Sequence, residues 1–219
     1  RQEHKDEEIV KLSRRRITIA KRLKEVQTET VMTTTYNEVD LSSVIAIRKK
    51  YQDQFVKKHN TKLGFMSFFV KASVNSLQSF PHLNAELHQD ELIIKKYYDI
   101  GIAVATDEGL VVPVLRGADK LSSAEIELGI AELATKSREK KITLQELQGG
   151  TFSITNGGVF GSLMSTPLLN PPQVGILGMH KIMEKPLAVD GEIVIRPVMM
   201  LAVTYDHRII DGSMAVQFL

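Results

Sequence analysis

The chain contains no cysteine among its 219 residues. Disulfides, thiolate-bound zinc, iron–sulfur clusters and a cysteine nucleophile are therefore excluded. It also lacks an excess of charge of either sign. Twenty-eight Lys and Arg stand against 26 Asp and Glu, a net charge of +2, which gives no case for a nucleic-acid or membrane footprint. No apolar run approaches the roughly 20 residues of a membrane span, and Arg1-Gln2-Glu3-His4 opens no signal-peptide core. Internal repeats and low-complexity segments are missing too. The glycines match neither a dinucleotide fingerprint nor a phosphate loop, so a nucleotide site is rejected.

What is present is an ordinary globular composition, 43% apolar and 25% charged. The length suits one large domain or two small ones, with a core that needs no crosslinks. The chain starts without Met and stops at Gln217-Phe218-Leu219, inside what reads as a young helix. The expectation is a domain cut from a longer protein, with residues 1–12 as a linker remnant and 13–219 as the domain proper.

Periodicity sets out the elements. Ser13 is positioned to cap a helix carrying Ile17, Ile19, Ala20, Leu23 and Val26. The β-branched run 33–41 reads as a strand. Asp40 or Ser42 caps a helix to about His59, and a Phe-rich helix runs from Gly64 to Phe80 before Pro81. Residues 83–95 form a hairpin around Gln89-Asp90. Two apolar strands, 98–106 and 110–116, flank Asp107-Glu108-Gly109. Ser122 or Ser123 caps a helix over 121–140, and 143–147 is one further helical turn. Strands follow at 151–155, 174–182 and 198–205, with a hairpin at Asp190-Gly191. A loop rich in Gly, Ser and Pro spans 161–172. Helices and strands mix without strict alternation, which points to an α+β fold, a mixed-sheet sandwich with flanking helices.

Two segments carry chemistry. In Tyr205-Asp206-His207-Arg208-Ile209-Ile210-Asp211-Gly212 an apolar strand ends in a titratable cluster. Such groups are costly inside a sheet but can face a cleft at its exit. His207 is the proton acceptor there, because only imidazole titrates near neutrality. A solvated surface turn is the competing reading. In Thr151-Phe152-Ser153-Ile154-Thr155-Asn156-Gly157-Gly158 a strand runs into a glycine turn. The Thr155 hydroxyl is placed to donate to a developing oxyanion, an interaction typically worth about 3 kcal/mol. An ordinary edge strand is the alternative for that segment alone. His4, His59, His82 and His88 have no metal-ligand spacing and are read as surface residues; no metal is expected. Met199 and Met200 are read as core or channel wall. Tyr205 and Phe160 either line a channel or simply pack.

Together the segments resemble the catalytic domain of the E2 acyltransferases of 2-oxo acid dehydrogenase complexes. Residues 206–212 match that family's DHRxxDG signature in full. Ser13-Arg14-Arg15-Arg16-Ile17, Phe152 to Gly158, Asn170-Pro171-Pro172-Gln173 and Ile176-Leu177-Gly178-Met179-His180 add to the likeness, which spans the chain from about Ile9. Thr33 to Asp40, Leu63 to Phe69 and Gly158 to Pro167 are most similar to the dihydrolipoamide succinyltransferase branch, in the core of the 2-oxoglutarate dehydrogenase complex.

The resemblance implies a chloramphenicol-acetyltransferase-like fold and transfer of a succinyl group between a dihydrolipoyl arm and coenzyme A. Coenzyme A would be a substrate, and the lipoyl group would ride on a separate domain. A thiol with a pKa of about 8.5 needs a base at neutral pH; the resemblance assigns that role to His207 and oxyanion stabilisation to Thr155. Asp211 invites a triad reading in which it orients His207. The resemblance instead implies a structural pairing with an arginine, matched to Arg16, with Arg14 and Arg15 as alternatives. Ser162, Ser165 and His180 match positions facing the succinyl group, although a lone histidine after an apolar strand is commonly a satisfied core residue. Also implied are homotrimers with active sites at subunit interfaces, a possible 24-subunit cubic core, and the E1 and E3 components as partners. The family's C-terminal helix is expected to be truncated here. The location follows as cytoplasm for a bacterial source and mitochondrial matrix for a eukaryotic one. An acetyl or branched-chain acyl group, and an inert structural core, remain the rival readings. A hydrolase is not supported, for want of a nucleophile elbow.

Overall fold

A computed structural model describes residues 6–107 and 109–219, the side chain of Arg15 excepted. His4, Glu108 and that side chain lie outside the described residues.

Helix α1 (Arg14–Glu29) begins where Ser13 accepts a hydrogen bond from the Arg16 amide, as the sequence implied. Strand β1 (Met32–Asp40) follows, then α2 (Ser42–His59) and α3 (Met66–Ser79). Leu41, not Asp40 or Ser42, occupies the cap position of α2, but Asp40 still accepts from the Ser42 amide. Helix α3 starts two residues later than its apolar pattern suggests. The Glu127 carboxylate accepts from the Ser67 amide at 3.0 Å and so fixes its first turn from outside.

The hairpin β2 (Ala85–His88) and β3 (Glu91–Ile94) turns where Gln89 adopts φ 56°. The two apolar runs that follow are each cut in two. They become β4 (Ile100–Ile102), β5 (Val104–Thr106), β6 (Gly109–Val111) and β7 (Val114–Leu115). β4 and β7 join the main sheet, whereas β5 and β6 pair only with each other. At the break, Ala103 donates to Ile154 and Ile102 to the carbonyl of Pro113. Helix α4 (Ser123–Arg138) starts at a full capping box, in which Ser122 and Glu125 exchange hydrogen bonds.

Strand β8 (Phe152–Asn156) leads to the loop, and β9 (Gly175–Val189) and β10 (Glu192–Asp206) form one long hairpin. Asp190 and Gly191 both have positive φ, as a primed two-residue turn requires. Helix α5 (Gly212–Phe218) follows. The strand order is β1-β10-β9-β8-β4-β7, with β8 parallel to β4 and β9 and the other pairs antiparallel. This is the expected mixed-sheet α+β architecture.

Alternation divides the sheet into two faces. One carries Phe152, Ile154, Leu177, Met179, Leu201 and Val203 into the core against α3, α4 and α5. The other carries Ser153, Thr155, Gly178, Ala202 and Thr204, with Ile176 and Met32 towards one end. Pairing places Thr155, Gly178, Ala202 and Tyr36 in one row across it. Helix α1 reaches that side mainly through Val26, which packs with Leu169, Ile176 and Met32. Ile17 and Leu23, expected to be part of its apolar stripe, remain exposed. So do Ile193 and Ile195 on the free end of the β9–β10 hairpin.

Candidate active site

The turn after β10 is built around one carboxylate. Asp206 is buried at the strand's last position and accepts from the Val31 amide, the Arg208 amide and the Arg208 guanidinium. Burial alone would raise its pKa. The hydrogen bonds from Arg208 and Val31 outweigh that and hold the carboxyl below its ordinary range. The next residue, His207, donates its amide to Val31 at 2.7 Å and leaves its ring exposed, 5.6 Å from the Tyr205 ring. The backbone of His207 is therefore tied to the start of β1 while its imidazole stays accessible.

Asp211 caps α5. Its carboxylate accepts from the Met214 amide and the Ser213 hydroxyl, and these hold its pKa down. Among the described residues it makes no hydrogen bond to His207, so the chain does not form a triad. Nor does it pair with Arg16 among the described residues; Arg16 sits on the exposed first turn of α1.

Thr155 lies near the end of β8, half-buried, and its hydroxyl makes no hydrogen bond among the described residues. The loop beyond it is clamped onto β9. Gly157 donates to Met179, Ser162 to Gly157, and Lys181 to Ser162. Gly158 lies so close to β9 that a Cβ there would stand 2.3 Å from the carbonyl of His180. Ser162 is thereby fixed beside the end of β8. Val159 and Phe160, 72% and 75% exposed, project outward from the same loop.

His180 and Ser165 are brought together: the ring Nε2 lies 2.9 Å from the Ser165 hydroxyl. Nδ1 lies 2.8 Å from the Met200 carbonyl, at the point where the β9–β10 register shifts. The ring is 1% exposed. His180 is thus a hydrogen-bonded core residue, and it touches the surface only through Ser165.

Thr155 and His207 are not brought together within one chain. β8 and β10 run in opposite directions, with β9 between them. Thr155 is level with Ala202, five residues before His207. At about 3.3 Å per residue and 4.8 Å per strand, the two lie about 19 Å apart. The sequence placed Asp206 in the titratable cluster without giving it a role, and it did not mark Val31 or the Met200 carbonyl. A charge closing an apolar strand was the signal for Asp206. The other two act through their backbone, which leaves no signature in residue type.

A family model described as 2-oxoacid dehydrogenases acyltransferase (catalytic domain) matches residues 4–219. The chain is 63% identical over 97% of its length to the dihydrolipoyllysine-residue succinyltransferase component of the 2-oxoglutarate dehydrogenase complex of Bacillus subtilis. It is 58% identical over 96% of its length to the same component of Rickettsia typhi. It spans about half the length of these curated relatives, 51% and 53%. Among solved structures, the Azotobacter vinelandii dihydrolipoamide acetyltransferase superposes with a TM-score of 0.93 at 34% identity, covering 97% of this chain and 88% of that one. That structure concerns the catalytic roles of a serine, a histidine fifty-two positions later and an asparagine four positions beyond it. The cubic core of a pyruvate dehydrogenase multienzyme complex superposes equally well, with a TM-score of 0.93 at 34% identity and the same coverage. Chloramphenicol acetyltransferase, at 12% identity and a TM-score of 0.52 over 96% of this chain and 95% of that one, shares the fold.

Proposed function

The chain belongs to the 2-oxoacid dehydrogenase acyltransferase family, and from that premise we propose that it transfers a succinyl group between a dihydrolipoyl arm and coenzyme A. The observation that carries this reading is spacing. His207 follows Thr155 by fifty-two positions and Asp211 follows His207 by four, the intervals of the serine, histidine and asparagine in the Azotobacter enzyme.

His207 takes the proton from the attacking thiol. The sulfur adds to the thioester carbonyl, and the tetrahedral oxyanion accepts a hydrogen bond from the hydroxyl of Thr155. When the intermediate collapses, the departing sulfur takes the proton back from the imidazolium. Both substrates are thiols or their thioesters, so no protein nucleophile is required. Because one chain holds its two groups about 19 Å apart, the site needs His207 from one copy and Thr155 from another. A homotrimer supplies that geometry, and the uncovered apolar residues of α1, the 159–168 loop and the β9–β10 hairpin are suited to its interfaces. Arg16 and Asp211 are read as structural partners in that assembly. The cubic core among the structural relatives supports a further step to 24 subunits. A lipoyl domain and the E1 and E3 components are the partners this reading carries, in the cytoplasm, given the bacterial relatives.

The succinyl group rests on the relatives, since those at 54–63% identity are succinyltransferases. Its free carboxylate requires donors in the pocket, and Ser162, Ser165 and, through Ser165, His180 are assigned to it. Comparing kcat/KM for succinyl-CoA and acetyl-CoA with free dihydrolipoamide tests this. Succinyl-CoA is expected to win clearly; a preference for acetyl-CoA would show that these three residues have been misassigned.

A further inference from the structure

We propose that Arg208 is a positioning residue for the reaction: acting through the Asp206 carboxylate, it fixes the direction in which the main chain presents the His207 imidazole. This rests on the reading that His207 is the proton acceptor.

A side chain leaves the main chain along Cα–Cβ. Peptides are planar, so the φ and ψ between the two flanking peptides decide where that bond points. Both peptides beside His207 are held. The one before it donates its N–H to the Val31 carbonyl at 2.7 Å, and its own carbonyl, that of Asp206, accepts from Ile209 and Ile210 at 3.0 Å each. The one after it donates its N–H to Asp206 Oδ1 at 3.1 Å. What remains to His207 is rotation about its own side-chain bonds, around an axis that the fold has set.

One of these holds depends on a side chain that can turn. Asp206 Oδ1 accepts from the Arg208 amide and also from the Val31 amide at 3.3 Å. Val31 is thus gripped at its N–H by Asp206 and at its carbonyl by His207. With amides alone on one oxygen, the carboxylate could still rotate about its Cβ–Cγ bond. Arg208 closes that freedom. Its Nε lies 3.0 Å from Oδ1 and 3.1 Å from Oδ2, and its Nη2 lies 2.6 Å from Oδ2. A planar fork of this kind fixes the plane of a carboxylate, which a point-like ammonium does not. It also balances the charge. Asp206 is 1% exposed, and Arg208 is its ion-pair partner among the described residues.

Two other roles compete for an arginine beside a base. Direct contact with an anionic part of a substrate is the first. The guanidinium is 41% exposed, but Nε and Nη2 are both turned to Asp206. Stability alone is the second. A buried ion pair gains little over an apolar pair of the same shape, so what this pair supplies is a direction.

Steady-state kinetics of the assembled enzyme with succinyl-CoA and dihydrolipoamide separates the three, at a temperature where circular dichroism shows each variant folded. Arg208→Gln is expected to lower kcat by about 10²-fold and to leave both KM values within about twofold, as for a base misplaced by about 1 Å. Arg208→Lys keeps the charge without the fork and is expected to lose about tenfold in kcat. Asp206→Asn should match Arg208→Gln to within about threefold, and the double variant should be no slower than the slower single one, because the arginine acts through that carboxylate. An unchanged kcat in Arg208→Gln overturns the inference. So does a loss carried by KM, which marks direct contact with a substrate, and so do losses that multiply in the double variant, which mark independent action. All three leave His207 as the base. A His207→Ala enzyme with wild-type kcat overturns that reading itself, and the inference with it.

Discussion

Gly158→Ala tests how the loop carrying Ser162 and Ser165, proposed to face the acyl group, is held. A methyl group at this position would stand 2.3 Å from both the carbonyl carbon and oxygen of His180, and 2.6 Å from the Lys181 nitrogen. All three atoms belong to the backbone of β9, so no rotamer change relieves the overlap. The loop must lift by about 1 Å to restore contact distances. That strains the bonds from Gly157 to Met179 at 3.0 Å, from Lys181 to Ser162 at 2.9 Å and from Gly158 to Asn156 at 2.9 Å. Overpacking costs about 1–3 kcal/mol and each weakened bond about 0.5–1.5 kcal/mol. We expect a loss of about 2–5 kcal/mol in urea unfolding, read as a lowered midpoint at constant slope. We also expect a raised KM for the acyl donor, because Ser162 and Ser165 ride on the same loop. Gly161→Ala is the control. It has φ +85° but nothing within 4 Å of a new Cβ, so it should cost only about 1 kcal/mol of backbone strain. Equal and small effects at both positions would refute the packing argument.

Asp206→Asn removes the charge under the His207 turn. With the half-exposed Arg208 discounted for screening, we expect about 1–2 kcal/mol of lost stability at pH 7. Because the folded carboxyl is held below its ordinary value, its contribution is complete above the unfolded value of about 3.9 and disappears as pH falls through the folded one. Wild type and variant should therefore converge in acid, as thermal melts across that range would show; a constant gap would contradict the assignment. Thr155→Val should lower kcat by about 10²–10³-fold with little change in KM, the mark of a group that acts on the oxyanion. A change confined to KM would place Thr155 in binding instead.

Where the chain's own periodicity decides structure, the sequence was legible. The Asp190-Gly191 hairpin, the Ser13 and Ser122 caps and the central apolar strand 198–205 all stand where pattern and turn chemistry put them. Where tertiary contacts decide, it was not. The runs 98–106 and 110–116 look continuous, yet each splits because its halves belong to different sheets. The strand 174–182 and the hairpin at Asp190-Gly191 look separate, yet they belong to one pairing of two 15-residue strands. Ile17 and Leu23 show helical spacing, but one chain gives them nothing to cover. The candidate site divides in the same way. His207 and Thr155 were visible as residue types at strand ends. That β8 and β10 point them to opposite ends of one sheet is a matter of topology, which no local motif records. His180 looked like either a pocket donor or a core residue; its burial and its bond to Met200 make it a core residue that reaches the surface through one hydroxyl.

The two-chain site can be tested by subunit complementation. His207→Ala and Thr155→Ala chains, each nearly inactive alone, would be unfolded together and refolded as an equal mixture. If every site takes its imidazole from one copy and its hydroxyl from the next, random assembly leaves both groups intact in about one site in four, and the mixture should regain roughly a quarter of wild-type turnover. A mixture no more active than its parents would mean that each chain carries a complete site, which contradicts a site shared between copies.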